Sequence, residues 1–389
     1  GAKDEAGMRR SVMTSWGLAL GFTVLLTAAG CLLARPVLFW MHTPEGIFAD
    51  AFAYLWVILA GTGATLFYNT ISNLLRALGD SRTPLFFLVF SSLLNVALDL
   101  FCVVTLDMDV AGAAWATLVS QLISGLLCLV YMAKKYPILR LHREDLRFNR
   151  FRATKLLLMG LPMGLQYSIT AIGTILIQTA VNGINSYAMA AATASSKVTA
   201  LFACPFDAIG STAAVYAGQN LGAGKHERIH QGFKAGLKLV WLICIPIVAL
   251  YFLAGRWLVY LFLDSPTGKA MDTGVMFLRI LAPFYFVVSA KLVSDGVLRG
   301  AGRMGRFMIA TFTDLLLRVA LAEVLSHTAL QTTGIWISWP VGWAVSMVLS
   351  IILYAAIRWI PEKTPDFETP AQVPAGEAIE DVESPEEYL

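Results

Sequence analysis

Long apolar stretches separated by short polar connections follow one another along almost the whole chain of 389 residues. Ten of them are long enough to cross a bilayer as helices, since a spanning helix needs about 20 mostly apolar residues. They lie approximately at residues 12–34, 49–75, 84–106, 110–132, 156–181, 189–217, 236–256, 274–298, 305–325 and 334–358. The pattern predicts an all-α polytopic membrane protein.

The sequence also resembles itself at a separation of about 222 residues. The run Leu74–Gly79 (LLRALG) ends one apolar stretch, and Val297–Gly302 (VLRGAG) ends another. Similar pairs, each opening an apolar stretch, are Gly1-Ala2 with Gly222-Ala223 and Ala111-Gly112 with Thr333-Gly334. Parallel repeats around a midplane cavity are typical of secondary transporters. We therefore expect two parallel-repeat lobes of six helices each.

The repeat begins so early in the chain that its first copy is shorter than its second. Residues 149–221 carry two apolar stretches whose counterparts would precede residue 1, so we expect that roughly 70 residues with two of the twelve helices are absent. The predicted organisation is a partial N-lobe of four helices (1–133), a cytoplasmic linker (134–155), a six-helix C-lobe (156–358) and a disordered acidic tail (359–389).

Composition and charge agree with a membrane location. Hydrophobic residues make up 57% and charged residues 14% of the chain, which excludes an ordinary soluble domain. Basic residues concentrate on alternating connections, whereas the others hold only Arg35, Arg256 and Lys269. This asymmetry predicts an inner-membrane protein with both termini of this chain in the cytoplasm. The basic cluster at 134–155 is interpreted as a topology signal, and no nucleic acid is expected as a partner.

Small residues within the spans allow two further expectations. The glycine pairs Gly17/Gly21, Gly61/Gly63, Gly160/Gly164 and Gly296/Gly300 would let helices pack closely. The five cysteines lie inside apolar stretches without paired spacing, and we expect them to be small core side chains rather than a disulfide or metal framework. These are Cys31, Cys102, Cys128, Cys204 and Cys244.

Charges inside the spans mark the candidate chemistry, because a charge at membrane depth is costly. Asp99 lies in an apolar run, with Asn95 one turn before it on the same helix face. Desolvation favours the protonated carboxyl group, and a carboxylate can also bind a small cation. Asp99 is therefore suited to take up and release H⁺ or Na⁺, although a purely structural hydrogen bond between helices is the alternative.

The second half carries a different set of charges. Lys291 and Asp295 are four residues apart, as are Asp314 and Arg318, so each pair can neutralise itself along one helix face. By the repeat offset Asp295 and Arg318 correspond to uncharged residues of the first half. The two halves therefore share an architecture but not their polar chemistry. For the two pairs we favour a structural role slightly over substrate binding. For Asp295 alone the sequence favours neither role.

One motif indicates a different class of protein. His226-Glu227-Arg228-Ile229-His230 matches the H-E-x-x-H zinc motif of metalloproteases, with Asp295 as an imaginable third ligand. We place the motif in a basic cytoplasmic connection between Lys225 and Lys234, whereas intramembrane proteolysis would need it within the bilayer. A chance match is the favoured interpretation, so no metal, cofactor or enzymatic activity is expected, and an intramembrane zinc protease stays as an alternative.

Several motifs, taken in order and spacing, resemble the multidrug and toxic compound extrusion (MATE) family, prokaryotic branch. They are Leu75–Pro84 (LRALGDSRTP), Asn95 with Asp99, Val110–Ala114 (VAGAA), Gly160-Leu161-Pro162, Gly218–Gly224 (GQNLGAG) and Leu298–Gly302 (LRGAG). The resemblance covers nearly everything except the tail. It implies twelve helices in two lobes, alternating access, and export of amphipathic, often cationic, compounds in exchange for H⁺ or Na⁺.

The resemblance also implies site residues. In the prokaryotic branch an Asn and an Asp on the fifth helix and a Thr on the sixth belong to an N-lobe network, and they match Asn95, Asp99 and Thr117. Other branches carry a Glu on the seventh helix, where this chain has Gln166 and Tyr167, neither of them acidic. A coupling-cation site at Asp99 is therefore favoured. A possible C-lobe polar or substrate site would comprise Asp295, Lys291, Arg318, Gln166 and Tyr167.

The sequence thus predicts a monomeric secondary antiporter of the bilayer that exports organic cations and uses no cofactor beyond its coupling ion. A flippase for lipid-linked oligosaccharides or peptidoglycan precursors is the alternative within transport, since Lys197, Lys291 and Arg318 could form a cationic cavity. A non-transporting fragment is the remaining alternative.

Overall fold

The computed structural model describes residues 2–41, 43–139, 149–263 and 265–357, and these residues form helices without any strand. The helices are α1 (Glu5–Trp40), α2 (Glu45–Ala60), α3 (Thr62–Ala77), α4 (Arg82–Leu100), α5 (Asp109–Lys135), α6 (Arg150–Asn182), α7 (Ser186–Gly222), α8 (His226–Tyr260), α9 (Lys269–Leu281), α10 (Tyr285–Gly300), α11 (Met304–Ser326) and α12 (Gln331–Ala355). The predicted acidic tail and part of the predicted linker lie outside the described residues.

The predicted spans fall on these helices. Within the described part of the chain, eight helices are long and apolar enough to cross a membrane, or nine if α2 and α3 form one span bent by 42°. A 3₁₀ turn, Ala282–Phe284, joins α9 to α10 within a single span. The remaining predicted span, 305–325, coincides with α11, which has 23 residues and carries two of the intramembrane charges discussed above, Asp314 and Arg318.

The two halves of the repeat end their helices in the same way. Gly79 after α3 and Gly302 after α10 have left-handed backbones, with φ of +90° and +71°. The next backbone N–H donates to the carbonyl of Leu75 in the first case and of Leu298 in the second, each at 2.9 Å. This is the Schellman arrangement, and glycine adopts its left-handed residue without steric cost. The prediction that LLRALG and VLRGAG close equivalent helices is confirmed.

Helix starts follow the same offset. α1 begins at Glu5 and α8 at His226, 221 residues later, whereas α5 begins at Asp109 and α12 at Gln331, 222 residues later. Asp109 and Gln331 both have positive φ values, of 48° and 43°. The repeat seen in the sequence is therefore a repeat of helix boundaries.

The helices pack in two groups, which we call the N-lobe (α1–α5) and the C-lobe (α6–α12). The C-lobe holds the larger core, built around Tyr251, Leu278 and Trp336. The N-lobe has a smaller cluster around Ile71 and Leu75. Because each span crosses the bundle once, with α2–α3 and α9–α10 each forming one span, the basic connections collect at one end of the molecule, which we call the basic end.

Two of the four glycine pairs lie at close helix contacts. At Gly61/Gly63 added Cβ atoms would meet the side chains of Leu118 on α5 and Thr23 on α1. A Cβ atom at Gly296 would overlap the backbone oxygen of Gly210 on α7, and one at Gly300 would overlap that of Ala214. Cβ atoms at the other two pairs, Gly17/Gly21 and Gly160/Gly164, would meet no atom within 4 Å. Close packing through glycine is thus confirmed for Gly296/Gly300 and Gly61/Gly63 and wrong for the other two pairs.

All five cysteines carry free thiols. Cys128 and Cys244 are buried as expected, and Cys31 and Cys102 are half-buried. Cys204 is exposed on α7, so the expectation that it is a core side chain is wrong. Its apolar surroundings in the sequence did not reveal which face of α7 is exposed.

Candidate functional site

Asn95, Asp99 and Thr117 come together between α4 and α5. The amide nitrogen of Asn95 lies 3.4 Å from Asp99 Oδ1 and 3.4 Å from Thr117 Oγ1. Asn95 thus connects the two other side chains across the helix contact. All three are half-buried. The hydroxyl of Thr117 donates to the carbonyl of Ala113 at 3.0 Å, so its oxygen is left to accept from Asn95.

The immediate surroundings of this cluster are polar and irregular. A cavity of about 210 Å³ next to it is lined by Asn95 and Thr117, together with Ser91 and Gln121. Directly after Asp99, α4 passes into a π-helical turn at Phe101–Thr105. Single π-helical turns often occur at functional sites, because they redirect side chains within an otherwise regular helix.

Asp99 forms no ion pair with a cationic side chain in the described part of the chain. A carboxylate at membrane depth without a cationic partner is costly unless it takes up a proton or a metal cation. The oxygens of Asp99, Asn95 and Thr117 are of the type that alkali cations bind. The cluster thus has the chemistry expected of a site for H⁺ or Na⁺.

The C-lobe contains a second acidic group in a different environment. Lys291 Nζ lies 2.7 Å from Asp295 Oδ2 on α10, which confirms the predicted pairing of these two residues. Ser350 on α12 donates to Asp295 Oδ1, also at 2.7 Å. Asp295 is 2% exposed. Both of its oxygens are bonded, so this carboxylate is already neutralised within the protein.

Asp314 and Arg318 do not pair as the sequence predicted. Neither side chain is more than 9% exposed, yet no salt bridge within 4.0 Å joins them among the described residues. Asp314 Oδ1 and Arg318 Nε have no hydrogen-bond partner. The guanidinium group instead lies 4.6 Å from the ring centre of Trp339 on α12. A cation–π contact has replaced the expected ion pair.

Gln166 and Tyr167 on α6 are not part of this arrangement. No hydrogen bond or ion pair connects either of them to Lys291, Asp295 or Arg318 in the described chain. Gln166 Oε1 is buried without a partner, whereas Tyr167 is 67% exposed. The five residues grouped as a possible C-lobe site therefore do not share one set of contacts.

The H-E-x-x-H motif lies in the first turns of α8 and not in a connecting loop, which corrects its predicted placement. His230 Nδ1 is 2.6 Å from the hydroxyl of Tyr354 on α12. The imagined third ligand, Asp295, is engaged by Lys291 and Ser350. Within the described residues no three His, Cys, Asp or Glu side chains converge in a way that could hold a metal ion.

At the basic end, side chains that sequence reasoning missed join the two lobes. Arg152 on α6 donates to the carbonyl of Gly7 and to the hydroxyl of Ser11 on α1, both at 3.0 Å. Gln219 on α7 donates to the carbonyl of Ala77 at 2.7 Å. We call these three hydrogen bonds the basic-end latch. Gln219 lies in the GQNLGAG motif, which was the only sequence signal for it.

The chain is similar to known proteins in family, in sequence and in fold. The family model described as MatE matches residues 1–101 and 162–324. The probable multidrug resistance protein YpnP of Bacillus subtilis is 28% identical over 364 residues, covering 92% of this chain and 80% of that protein. The probable multidrug resistance protein NorM of Thermotoga maritima is 24% identical over 365 residues, covering 92% of this chain and 78% of that protein.

Solved structures of similar fold cover most of the chain. A crystal structure of MATE in the bent conformation superimposes with a TM-score of 0.85 at 24% identity, covering 91% of this chain and 79% of that one. This similarity extends through both lobes, so the arrangement of α1–α12 is that of a known transporter fold.

Proposed function

The chain belongs to the MatE family of multi-pass membrane transporters, and we propose that it is an antiporter that exports amphipathic, often cationic, organic compounds in exchange for H⁺ or Na⁺. As a member of this family it is a transporter and not an enzyme. Relatives described as probable multidrug resistance proteins support the substrate class. The basic connections support an inner-membrane location with both termini of this chain in the cytoplasm.

The observation that carries the proposal is the cluster of Asp99, Asn95 and Thr117. In this cluster the carboxylate of Asp99 lies near an amide and a hydroxyl group, and it has no cationic partner among the described residues. When H⁺ or Na⁺ binds, the charge of Asp99 is neutralised, and the hydrogen bond that Asn95 donates to it weakens. Because Asn95 also donates to Thr117, weakening its bond to Asp99 would alter the contact between α4 and α5.

We propose transport by alternating access, and the way in which the lobes meet supports it. The basic-end latch joins them at one end of the bundle through side chains and backbone oxygens rather than through a large apolar interface. Such contacts can be exchanged for water at small cost. Cation binding at Asp99 would bias the lobes between a state with this end closed and a state with it open.

The proposal is tested by efflux of ethidium from vesicles under separately imposed proton and sodium gradients. We expect wild-type protein to drive efflux under at least one gradient, and Asp99→Asn to reduce the rate to that of protein-free vesicles. Asp107→Asn is the matched control, because Asp107 is exposed in the connection after the π-helical turn, and it should transport normally.

Retention of gradient-driven efflux in Asp99→Asn at normal expression would contradict the role of Asp99. Absence of efflux under both gradients in the wild-type protein would contradict antiport itself. That second result would favour the flippase alternative, although Lys291 is bonded to Asp295 and Arg318 packs on Trp339 rather than forming a cationic cavity.

A further inference from the structure

A groove of about 390 Å³ lies between α8 and α9, at the end of the C-lobe opposite the basic end. Arg256 lies near the end of α8 and Asp272 in the first turn of α9, so the groove is close to the connection between these two helices. Three of its lining residues are charged and three are apolar. The lining consists of Arg256, Asp272, Val275, Met276, Arg279 and Ile280. The groove therefore presents both kinds of surface that an amphipathic molecule needs.

Arg279 is the charge that lies deepest in this groove. It comes 10 residues after Lys269, the first residue of α9, which corresponds to about 15 Å along the helix. The run Gly274–Val288 (GVMFLRILAPFYFVV) contains no other charged residue. The side chain of Arg279 is nevertheless exposed. Because an exposed charge within an apolar span is costly unless a counter-charge or water reaches it, we expect an anion beside Arg279.

The described part of the protein does not supply that anion. Among the described residues no hydrogen bond or ion pair engages Arg279. The carboxylate of Asp272 is bonded instead to Arg256, with 3.3 Å between Asp272 Oδ1 and Arg256 Nη2. Arg256 also donates from Nε to the carbonyl of Pro266 at 3.3 Å. Two guanidinium groups and one carboxylate leave the groove with a net charge of +1, so its charge is complementary to an anion.

The surface around the two arginines is apolar and exposed. Leu253 and Trp257 on α8 are 86% and 72% exposed, and Met276 on α9 is exposed as well. Leu253 precedes Arg256 by three residues, as Met276 precedes Arg279, so each arginine shares a helix face with an exposed apolar side chain. Other faces of α8 and α9 pack against α7, α10 and α12. An acyl chain is as apolar as these side chains and can lie along them.

We propose that this groove binds an anionic phospholipid from the leaflet opposite the basic end. The long side chain of Arg279 would extend toward the interface and, together with Arg256, donate to the phosphate group, which a guanidinium group can engage through two parallel N–H bonds. The acyl chains would lie along the face of α8 that carries Leu253. Binding of a lipid is an equilibrium property that needs no ion gradient, so it can be tested independently of the transport proposal.

The test is native mass spectrometry of the purified full chain in detergent, titrated with dioleoylphosphatidylglycerol. Arg279→Met should weaken binding of the first lipid molecule about tenfold, the scale of one hydrogen bond to a charged group. The variant replaces a charge within an apolar span by an apolar side chain, so it should insert and fold at least as well as the wild type. Arg35→Met is the matched control and should bind normally, because it removes an exposed arginine of α1 at the same end of the molecule but outside the groove.

Asp272→Asn gives a prediction of opposite sign. This substitution frees Arg256 and removes a carboxylate that repels the phosphate group, so it should tighten the binding of phosphatidylglycerol. Dioleoylphosphatidylethanolamine carries an ammonium group that cancels its phosphate charge, and it should bind more weakly than phosphatidylglycerol to the wild type. Glycerol 3-phosphate has the phosphate without acyl chains, and it should not displace the lipid.

Equal binding of phosphatidylglycerol by Arg279→Met and the wild type would overturn the proposal. An equal loss in Arg35→Met and Arg279→Met would overturn it as well, because any exposed cation at this end would then suffice. Displacement by glycerol 3-phosphate would mean that the groove recognises a free anion rather than a lipid. Tighter binding of phosphatidylethanolamine than of phosphatidylglycerol, lost in Asp272→Asn, would mean that Asp272 selects a zwitterionic headgroup, which also contradicts the proposal.

Discussion

Asp99 and Asp295 show how the environment of one residue type decides what it can do. Asp295 is bonded by Lys291 at 2.7 Å and by Ser350 at 2.7 Å, so its negative charge is matched in place. Asp99 has the amide of Asn95 at 3.4 Å. Removing one partner from a buried ion pair is strongly unfavourable, whereas a carboxylate with only neutral neighbours can exchange its cation. We therefore propose a coupling role for Asp99 and a structural role for Asp295.

At the basic end, Asp80 is the acidic residue with the most complete set of partners. It accepts hydrogen bonds from Thr83 N at 3.1 Å and Thr83 Oγ1 at 2.8 Å, and from Tyr136 at 2.8 Å and Lys135 at 3.3 Å. Burial raises the pKa of Asp80, but the hydrogen bonds from Thr83, Tyr136 and Lys135 outweigh it and lower the pKa to about 2. The ionised carboxylate therefore stabilises the connection between α3 and α4.

Asp80→Asn should lower the free energy of unfolding by about 1.5–3 kcal/mol at pH 7, the range for hydrogen bonds to a charged group. Because the folded pKa lies below the unfolded value, this stabilisation is complete above about pH 4 and is lost as the pH falls toward 2. Thermal unfolding in nanodiscs should show a constant difference from pH 8 to 5 that shrinks below pH 4. Asp50→Asn, at an exposed position of α2, should show no difference. An unchanged melting temperature in Asp80→Asn would contradict this account.

At the residue scale, spacing along one helix was predictable and partners on other helices were not. The pairing of Lys291 with Asp295 follows from their separation of four residues on α10. The contacts of Ser350 with Asp295 and of Trp339 with Arg318 depend on how α12 packs against α10 and α11. No local pattern records that packing. For the same reason the sequence predicted an ion pair at Arg318 where the structure has a cation–π contact.

At the scale of elements, the contact between α7 and α10 depends on two glycines. Cβ atoms at Gly296 and Gly300 would overlap backbone oxygens of α7, which cannot move aside as a flexible side chain could. Gly300→Ala should therefore destabilise the C-lobe by about 1–3 kcal/mol, as overpacking does in other cores. Gly160→Ala on α6 is the matched control, since its Cβ would meet no atom within 4 Å. The measurement is thermal unfolding in nanodiscs, and equal stability of the two variants would contradict the close approach.

Helices were the most predictable elements, because apolar length and the repeat offset specify them directly. The bend of 42° between α2 and α3 at Gly61 and the 3₁₀ turn before Tyr285 were not predicted. Both interrupt spans that are continuous in hydropathy. The start of α8 at His226 was also missed, because a basic segment rich in His and Lys has the composition of a loop.

At the scale of the whole molecule, the two lobes have different proposed roles. The N-lobe holds the proposed cation cluster at Asp99, while the C-lobe holds the larger core and the paired carboxylate of Asp295. The basic-end latch connects them. The repeat predicted two lobes of shared architecture. The repeat could not predict this difference in role, since the polar residues of the two halves differ at equivalent positions.

The most direct measurement of coupling is the ion movement that a substrate evokes in vesicles without any imposed gradient. Ethidium is added outside vesicles that contain an indicator of internal pH or of internal Na⁺, with the membrane potential held at zero. If the exchange takes place at Asp99, ethidium entry should drive H⁺ or Na⁺ out of wild-type vesicles, and no such movement should occur with Asp99→Asn. Ethidium entry without movement of either cation, or cation movement that persists in Asp99→Asn, would contradict the account.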